Sequence, residues 1–160
     1  MSQCPEVIPI YDPDVRRLCT KPYPGHPRGC PNYGKRITCP PQSRLLPELL
    51  DWQHRIWLVY NAFDLATHVD KLRRRHPKWS VRQFYCCLYW QGTARKQLRA
   101  KVAACLDAHP GTVPLYTPEA CGVNVTATME RIGIRLEWPP RKTAYQVALA
   151  GYPVETKAAK

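Results

Sequence analysis

Acidic residues are scarce in this sequence: 12 Asp and Glu stand against 24 Lys and Arg, leaving a formal charge of +12. The shortage is sharpest between residues 71 and 101, where ten Lys and Arg occur with no Asp or Glu. The few carboxylates are scattered and offer no evident acid–base pair. A run of about 18 apolar residues is also missing, so no stretch reads as a membrane span. The opening "MSQCPEVIPIYDPDVRR" lacks the charged-then-apolar layout of a secretory signal. The expectation is therefore a cytoplasmic protein without a membrane partner. In that compartment eight cysteines are expected as ligands or buried thiols rather than as a disulfide framework. Catalytic signatures are absent too: there is no Gly-rich phosphate loop, no G-x-S-x-G elbow and no H-E-x-x-H.

What remains is an ordinary hydrophobic content of 44%, enough for a core, and an unusual number of prolines. More than half of the 17 prolines precede residue 48. The front should be irregular, with "VIPIY" its one candidate strand. Pro47 and Glu48 suit the first turn of a short helix at "LPELLDW". "RIWLVYN" (55–61) reads as a buried strand, and Asp64 as the cap of a helix over "LATHVDKLRRRH". Ser80 is a good cap for one long helix running to His109. Its apolar stripe would be Phe84, Leu88, Leu98, Val102 and Cys105, with Gly92 a weak point. "TVPLY" reads as an edge strand, "VNVTATMERIG" as a helix from Asn124 to Gly133, and "IRLEW" and "AYQVALAGY" as strands. The fold class is α/β: a small mixed sheet with packed helices and a loop-rich, metal-stapled N-terminal segment. Residues 1–154 form a single domain in this reading, followed by a frayed tail at 155–160.

Cys19, Cys30 and Cys39 crowd into one Pro/Gly-rich segment of 21 residues. Thiolates bind soft metals, and a loop free of secondary structure can wrap several ligands around one centre. Lys35 and Arg36 favour thiolates and offset an anionic cluster. Without a C-x2-C knuckle the spacing is not that of a zinc finger. Three readings stay open on spacing alone: zinc on Cys19, His26, Cys30 and Cys39, an iron–sulfur cluster, or three thiols without a metal.

The run "GCPNYGKRITCPP" (29–41), with Cys19 upstream, resembles a family of predicted metal-binding proteins of unknown function. That family carries a GCPNYGK-x3-CPP motif. "PEACGVNVTATMERIGIRLEW" (118–138) is similar to the family's C-terminal segment. Members are suspected of binding iron–sulfur clusters. The resemblance implies that Cys19, Cys30 and Cys39 are ligands of a [4Fe–4S] cluster, with zinc as the alternative. It makes Cys121 the leading candidate for the fourth ligand. Of the adjacent Cys86 and Cys87, at most one can point at a given site. Cys4 and Cys105 read as structural, and His68, His76 and His109 as surface or capping residues. Family members carry a second cysteine-rich segment in the middle; "YWQGTARKQLR" stands there here, so a second cluster is not expected. A cluster with one iron open to substrate does Lewis-acid or desulfuration chemistry.

The acid-free block interleaves its cations with Trp79, Phe84, Tyr85, Tyr89 and Trp90. Cations neutralise phosphates and exposed rings stack on unpaired bases, which points to RNA or DNA as partner. Candidate contacts are Lys71, Arg73, Arg74, Arg75 and Lys78, with Arg95, Lys96 and Arg99 as a second strip. The bland reading is a solvated face over core aromatics. The combined expectation is a cluster-binding protein with a nucleic-acid-contacting surface, acting on a modified base or sulfur-bearing substrate. The alternative is a non-catalytic, zinc- or cluster-stapled module within a larger assembly, with protein partners.

Overall fold

The computed structural model describes residues 4–23 and 25–155, so the expected frayed tail beyond Glu155 lies outside the described residues. At its centre is a three-stranded sheet of β1 (Ile56–Asp64), β2 (Val113–Leu115) and β3 (Thr143–Gly151). The strand order is β1-β3-β2, and both pairings are antiparallel. Around it lie α1 (Leu46–Leu49), α2 (Leu65–Arg75), α3 (Val81–Phe84), α4 (Gln91–Ala108) and α5 (Val125–Arg131). The expected α/β class, helices on a small sheet, is what the chain adopts.

Period-two alternation makes the sheet two-sided. Ile56 and Leu58 of β1 and Leu149 of β3 face a core of Val7, Leu46, Leu50, Cys121, Val123 and Met129. Trp57, Val59, Ala148 and Ala150 face the other way, onto Leu98, Val102 and Cys105 of α4. The alanines on β3 let α4 approach closely. Burying Leu98 and Val102 contributes about 1.5–3 kcal/mol each. A third cluster, Leu65, Val69, Phe84, Trp90, Ala94 and Ala144, joins α2 and α3 to the start of α4. Asn61 is buried among these apolar groups, and its Nδ2 donates to Ala94 O (3.3 Å) and Gln97 Oε1 (2.9 Å).

The caps behave as their chemistry dictates. Asp64, Ser80 and Asn124 accept from the backbone N–H groups of Thr67, Gln83 and Ala127. Three expectations need correction. The single long helix from Ser80 is broken into α3, a 3-10 turn over Cys87–Tyr89, and α4. Phe84 and Trp90 enter the same core, yet six residues of continuous helix would set them about 120° apart. The break brings both rings inward, and it leaves Leu88, expected in the stripe, 86% exposed. "IRLEW" keeps its alternation, with Ile134 and Leu136 packed on the core, but it has no ladder partner and is not a strand. "VIPIY" makes only short contacts: Val7 N–H donates to Ile56 O, Leu58 N–H donates to Pro5 O, and Tyr11 bridges Val123. The first two contacts cover part of the free edge of β1.

Candidate functional site

The front loop gathers the three expected thiols. A 3-10 helix over Pro13–Thr20, capped by Asp12, delivers Cys19. The chain then returns so that Cys30 N–H donates to Cys19 O at 2.7 Å. Further turns close Tyr33 N–H onto Cys30 O, Cys39 N–H onto Arg36 O and Ser43 N–H onto Cys39 O. Gly29 makes the close return feasible: its φ is +82°, and a Cβ there would lie 2.6 Å from Cys19 O. All eight cysteines are thiols in this structure; Cys19, Cys30 and Cys39 are half-buried. Burial raises the Cys19 thiol above its ordinary value, and Cys30, Cys39 and Glu119 raise it further, while Arg16 opposes them. Cys30 and Cys39 thus both lie near enough to Cys19 to oppose its ionisation.

They are not, however, packed as ligands of one ion. Among the described residues, neither these thiols nor the set with His26 has its donor atoms all within 4.8 Å. Tetrahedral zinc needs sulfurs about 3.8 Å apart, whereas cluster thiolates bind separate irons and stand further off.

Arg16 ties the loop to the rest of the fold. Its Nη2 donates to Pro41 O (2.9 Å) and Ser43 O (3.2 Å). Its Nε is buried and meets no acceptor among the described residues. Ser43 Oγ donates to Ala120 O at 2.6 Å, fastening the loop to a 3-10 turn over Glu119–Cys121. Cys121 itself is 3% exposed and packs in the core beside Leu46 and Met129. Its thiol shares Arg16 and Glu119 as electrostatic neighbours with Cys19, but burial dominates and raises it. Glu119 has surface open to solvent, yet the fold around it desolvates the carboxyl and raises its pKa. Burial raises the Tyr23 phenol, and Cys30, the exposed Cys87 and Cys19 raise it further, which places Cys87 near the same loop. An open recess of about 460 Å³ beside Cys30 is lined by His26, Arg28, Tyr33 and Lys35.

The basic block is on the surface. Lys71, Arg73, Arg74, Arg75, Lys78, Arg95, Lys96 and Arg99 are all exposed. Among the described residues only Arg73 of these eight has an ion-pair partner, Asp70 at 3.7 Å. Beside the α2 end, His76 stacks on Trp79 (4.0 Å, 7°), and Trp79 lies 5.0 Å from the exposed Tyr89. Phe84 and Trp90 are core, and Trp79 and Tyr85 pack partly against them, so most of the expected interleaving is structural. Lys101 turns inward, donating to Tyr60 O at 3.4 Å.

A second group was not legible as ligands. Cys4, Cys105 and His109 place their donor atoms within 4.8 Å of one another and could hold a metal ion. Cys105 and His109 are one helical turn apart, which is a signal; Cys4 is 101 residues away in sequence and carries none. No helix among the described residues is long and apolar enough to cross a membrane. No protein-family model matches the chain, and no curated protein or solved structure matches it significantly.

Proposed function

We propose that the front loop holds a [4Fe–4S] cluster through Cys19, Cys30 and Cys39, in a cytoplasmic protein that engages nucleic acid through its basic aromatic face. The observation that carries this reading is the gathering of Cys30 and Cys39 near Cys19, beside an arginine, Arg16, whose buried Nε has no acceptor among the described residues. Buried donors are nearly always paired, so an orphan here suits an anionic sulfur-rich group. The resemblance of residues 29–41 to a suspected iron–sulfur family supports the same choice. Three thiols that are not all within 4.8 Å of one another suit a cluster, whose thiolates bind separate irons. The Glu119–Cys121 turn, fastened to the loop through Ser43, supplies the fourth position, with Cys121 as its thiol.

When bound, a cluster with one weakly ligated iron supplies Lewis acidity toward a sulfur- or oxygen-bearing substrate. The chain's own residues would orient that substrate. His26, Arg28 and Lys35 line the recess beside Cys30 and attract an anionic group. The stacked His76, Trp79 and Tyr89, with Arg74, Arg75 and Lys78 nearby in sequence, would hold an unpaired nucleotide strand.

Anaerobic reconstitution with iron and sulfide analysis tests the reading. The expected result is about four irons and four sulfides per chain. Cys30→Ser should lose most of both. One zinc per chain without sulfide in the front loop would overturn it. Cys121→Ser with full cluster retention would remove that thiol as a ligand.

A further inference from the structure

We propose that Cys4, Cys105 and His109 form a second, separate metal site, a mononuclear Cys2His centre for zinc that staples the N-terminal segment to the end of α4. Three segments converge there for independent reasons. Pro5 O accepts from Leu58 N–H at 2.9 Å, which sets Cys4 against the β1 edge. Cys105 lies on the inward face of α4, in the same cluster as Leu98 and Val102. His109 terminates α4: its N–H donates to Leu106 O, and its carbonyl accepts from Thr112 Oγ1 at 2.7 Å. Its ring is held flat on Trp57, 3.9 Å between centroids at 21°.

The separations suit zinc. Cys4 Sγ lies 3.8 Å from His109 Nε2. Tetrahedral bonds of about 2.3 Å to sulfur and 2.0–2.1 Å to nitrogen place those atoms about 3.6 Å apart, so that pair needs almost no rearrangement, and Cys105 Sγ lies within 4.8 Å of both. Both thiols are buried, at 8% and 2% exposure, in a mainly apolar cluster where two uncompensated thiolates would be costly. A divalent cation neutralises both at once and makes the pair of buried sulfurs a stabilising feature. Of the three donors, His109 lines an open recess of about 530 Å³ with Trp57, His54 and Tyr152, so the imidazole side of the site faces solvent. The three donors leave one tetrahedral position for water. Two thiolates and one imidazole are a borderline-soft set that zinc fills and magnesium or calcium does not.

This site is independent of the front loop, and the experiment keeps the two apart. The full chain carrying Cys19→Ser, Cys30→Ser and Cys39→Ser is titrated with cobalt(II), a spectroscopic substitute for zinc. The expected result is one equivalent of tetrahedral cobalt with thiolate charge-transfer absorption, displaced by zinc. His109→Gln should weaken it at least tenfold, and Cys105→Ser should abolish it. A folded triple-serine chain that takes up no cobalt overturns the proposal, as does uptake unchanged by Cys4→Ser and Cys105→Ser. If circular dichroism shows that the triple variant does not fold, the wild-type chain is titrated against His109→Gln alone. Loss of one equivalent then supports the site, and identical stoichiometry and spectra overturn it.

Discussion

The amide of Cys30 donates to the carbonyl of Cys19 across 2.7 Å, so the two arms of the front loop touch through backbone rather than through side chains. Gly29 stands at the point of contact. A methyl group there would meet Cys19 O at 2.6 Å, on a backbone already at φ +82°. Gly29→Ala should therefore cost more than the 1–2 kcal/mol or so of a left-handed alanine alone, and should lower iron and sulfide content. Gly34 is the control. It has φ +72° but nothing within 4 Å of the added Cβ, so Gly34→Ala should show the conformational cost only. Equal urea midpoints for the two variants would mean that the close approach does not matter.

Local signals were legible in proportion to how local their cause is. Asp64, Ser80 and Asn124 cap helices because a carboxylate, hydroxyl or amide satisfies an N–H two or three residues on. The same is true of the front-loop turns, where Gly25, Gly29 and Gly34 take positive φ. What failed needed knowledge of distant packing. The helix break at residues 85–90 follows from two rings seeking one core, and "IRLEW" alternates without a strand to pair with. Cys4 and His109 meet only because an N-terminal segment lies along the β1 edge. No window of sequence contains that fact.

Ser43 joins the loop to the turn that carries Cys121. Its hydroxyl donates to Ala120 O at 2.6 Å in a buried setting. Removing it in Ser43→Ala leaves a buried carbonyl without that partner, which costs about 1–3 kcal/mol. The loss should be seen as a lower urea midpoint. The variant should also release its cluster faster on dilution into chelator, because the Glu119–Cys121 turn is no longer tied to the loop. Ser43→Thr, which keeps the hydroxyl, should recover part of both effects. A chelation rate unchanged by Ser43→Ala would separate the turn from the site.

Acid should destabilise the chain in two steps. His68 is half-buried, its Nε2 has no partner among the described residues, and burial first, then Lys71, lower its pKa. Its unfolded form takes up a proton before the folded form does, so stability falls as pH drops below about 6.5. Asp64 shifts by hydrogen bonds from the Thr67 side chain and backbone, with Lys71 adding to them, and its pKa is lowered as well. Its contribution is present above about pH 3.9 and is lost as pH falls through the folded value. Thermal melts across pH 3–8 should show both steps. His68→Phe should flatten the first and leave the second, while Asp64→Asn should shrink only the second. A His68→Phe melting curve parallel to wild type between pH 7 and 5 would assign the first step elsewhere.

Charge and stacking on the basic face separate experimentally because they respond differently to salt. Arg74, Arg75 and Lys78 are exposed and, among the described residues, have no carboxylate within ion-pair distance, so their charge is available to phosphate. Replacing all three with Ser should weaken binding to a single-stranded oligonucleotide and reduce the slope of log K against log salt by about 2. Tyr89 is 49% exposed and continues the surface begun by the stacked His76 and Trp79. Tyr89→Ala should cost about 1–3 kcal/mol of binding with the slope unchanged, since a ring contributes no counterion release. Tyr89→Phe should bind as wild type. If Tyr89→Ala binds normally while the cation variant does not, the face is a polyelectrolyte surface alone, and the aromatic run serves the α2–α3 packing rather than a base.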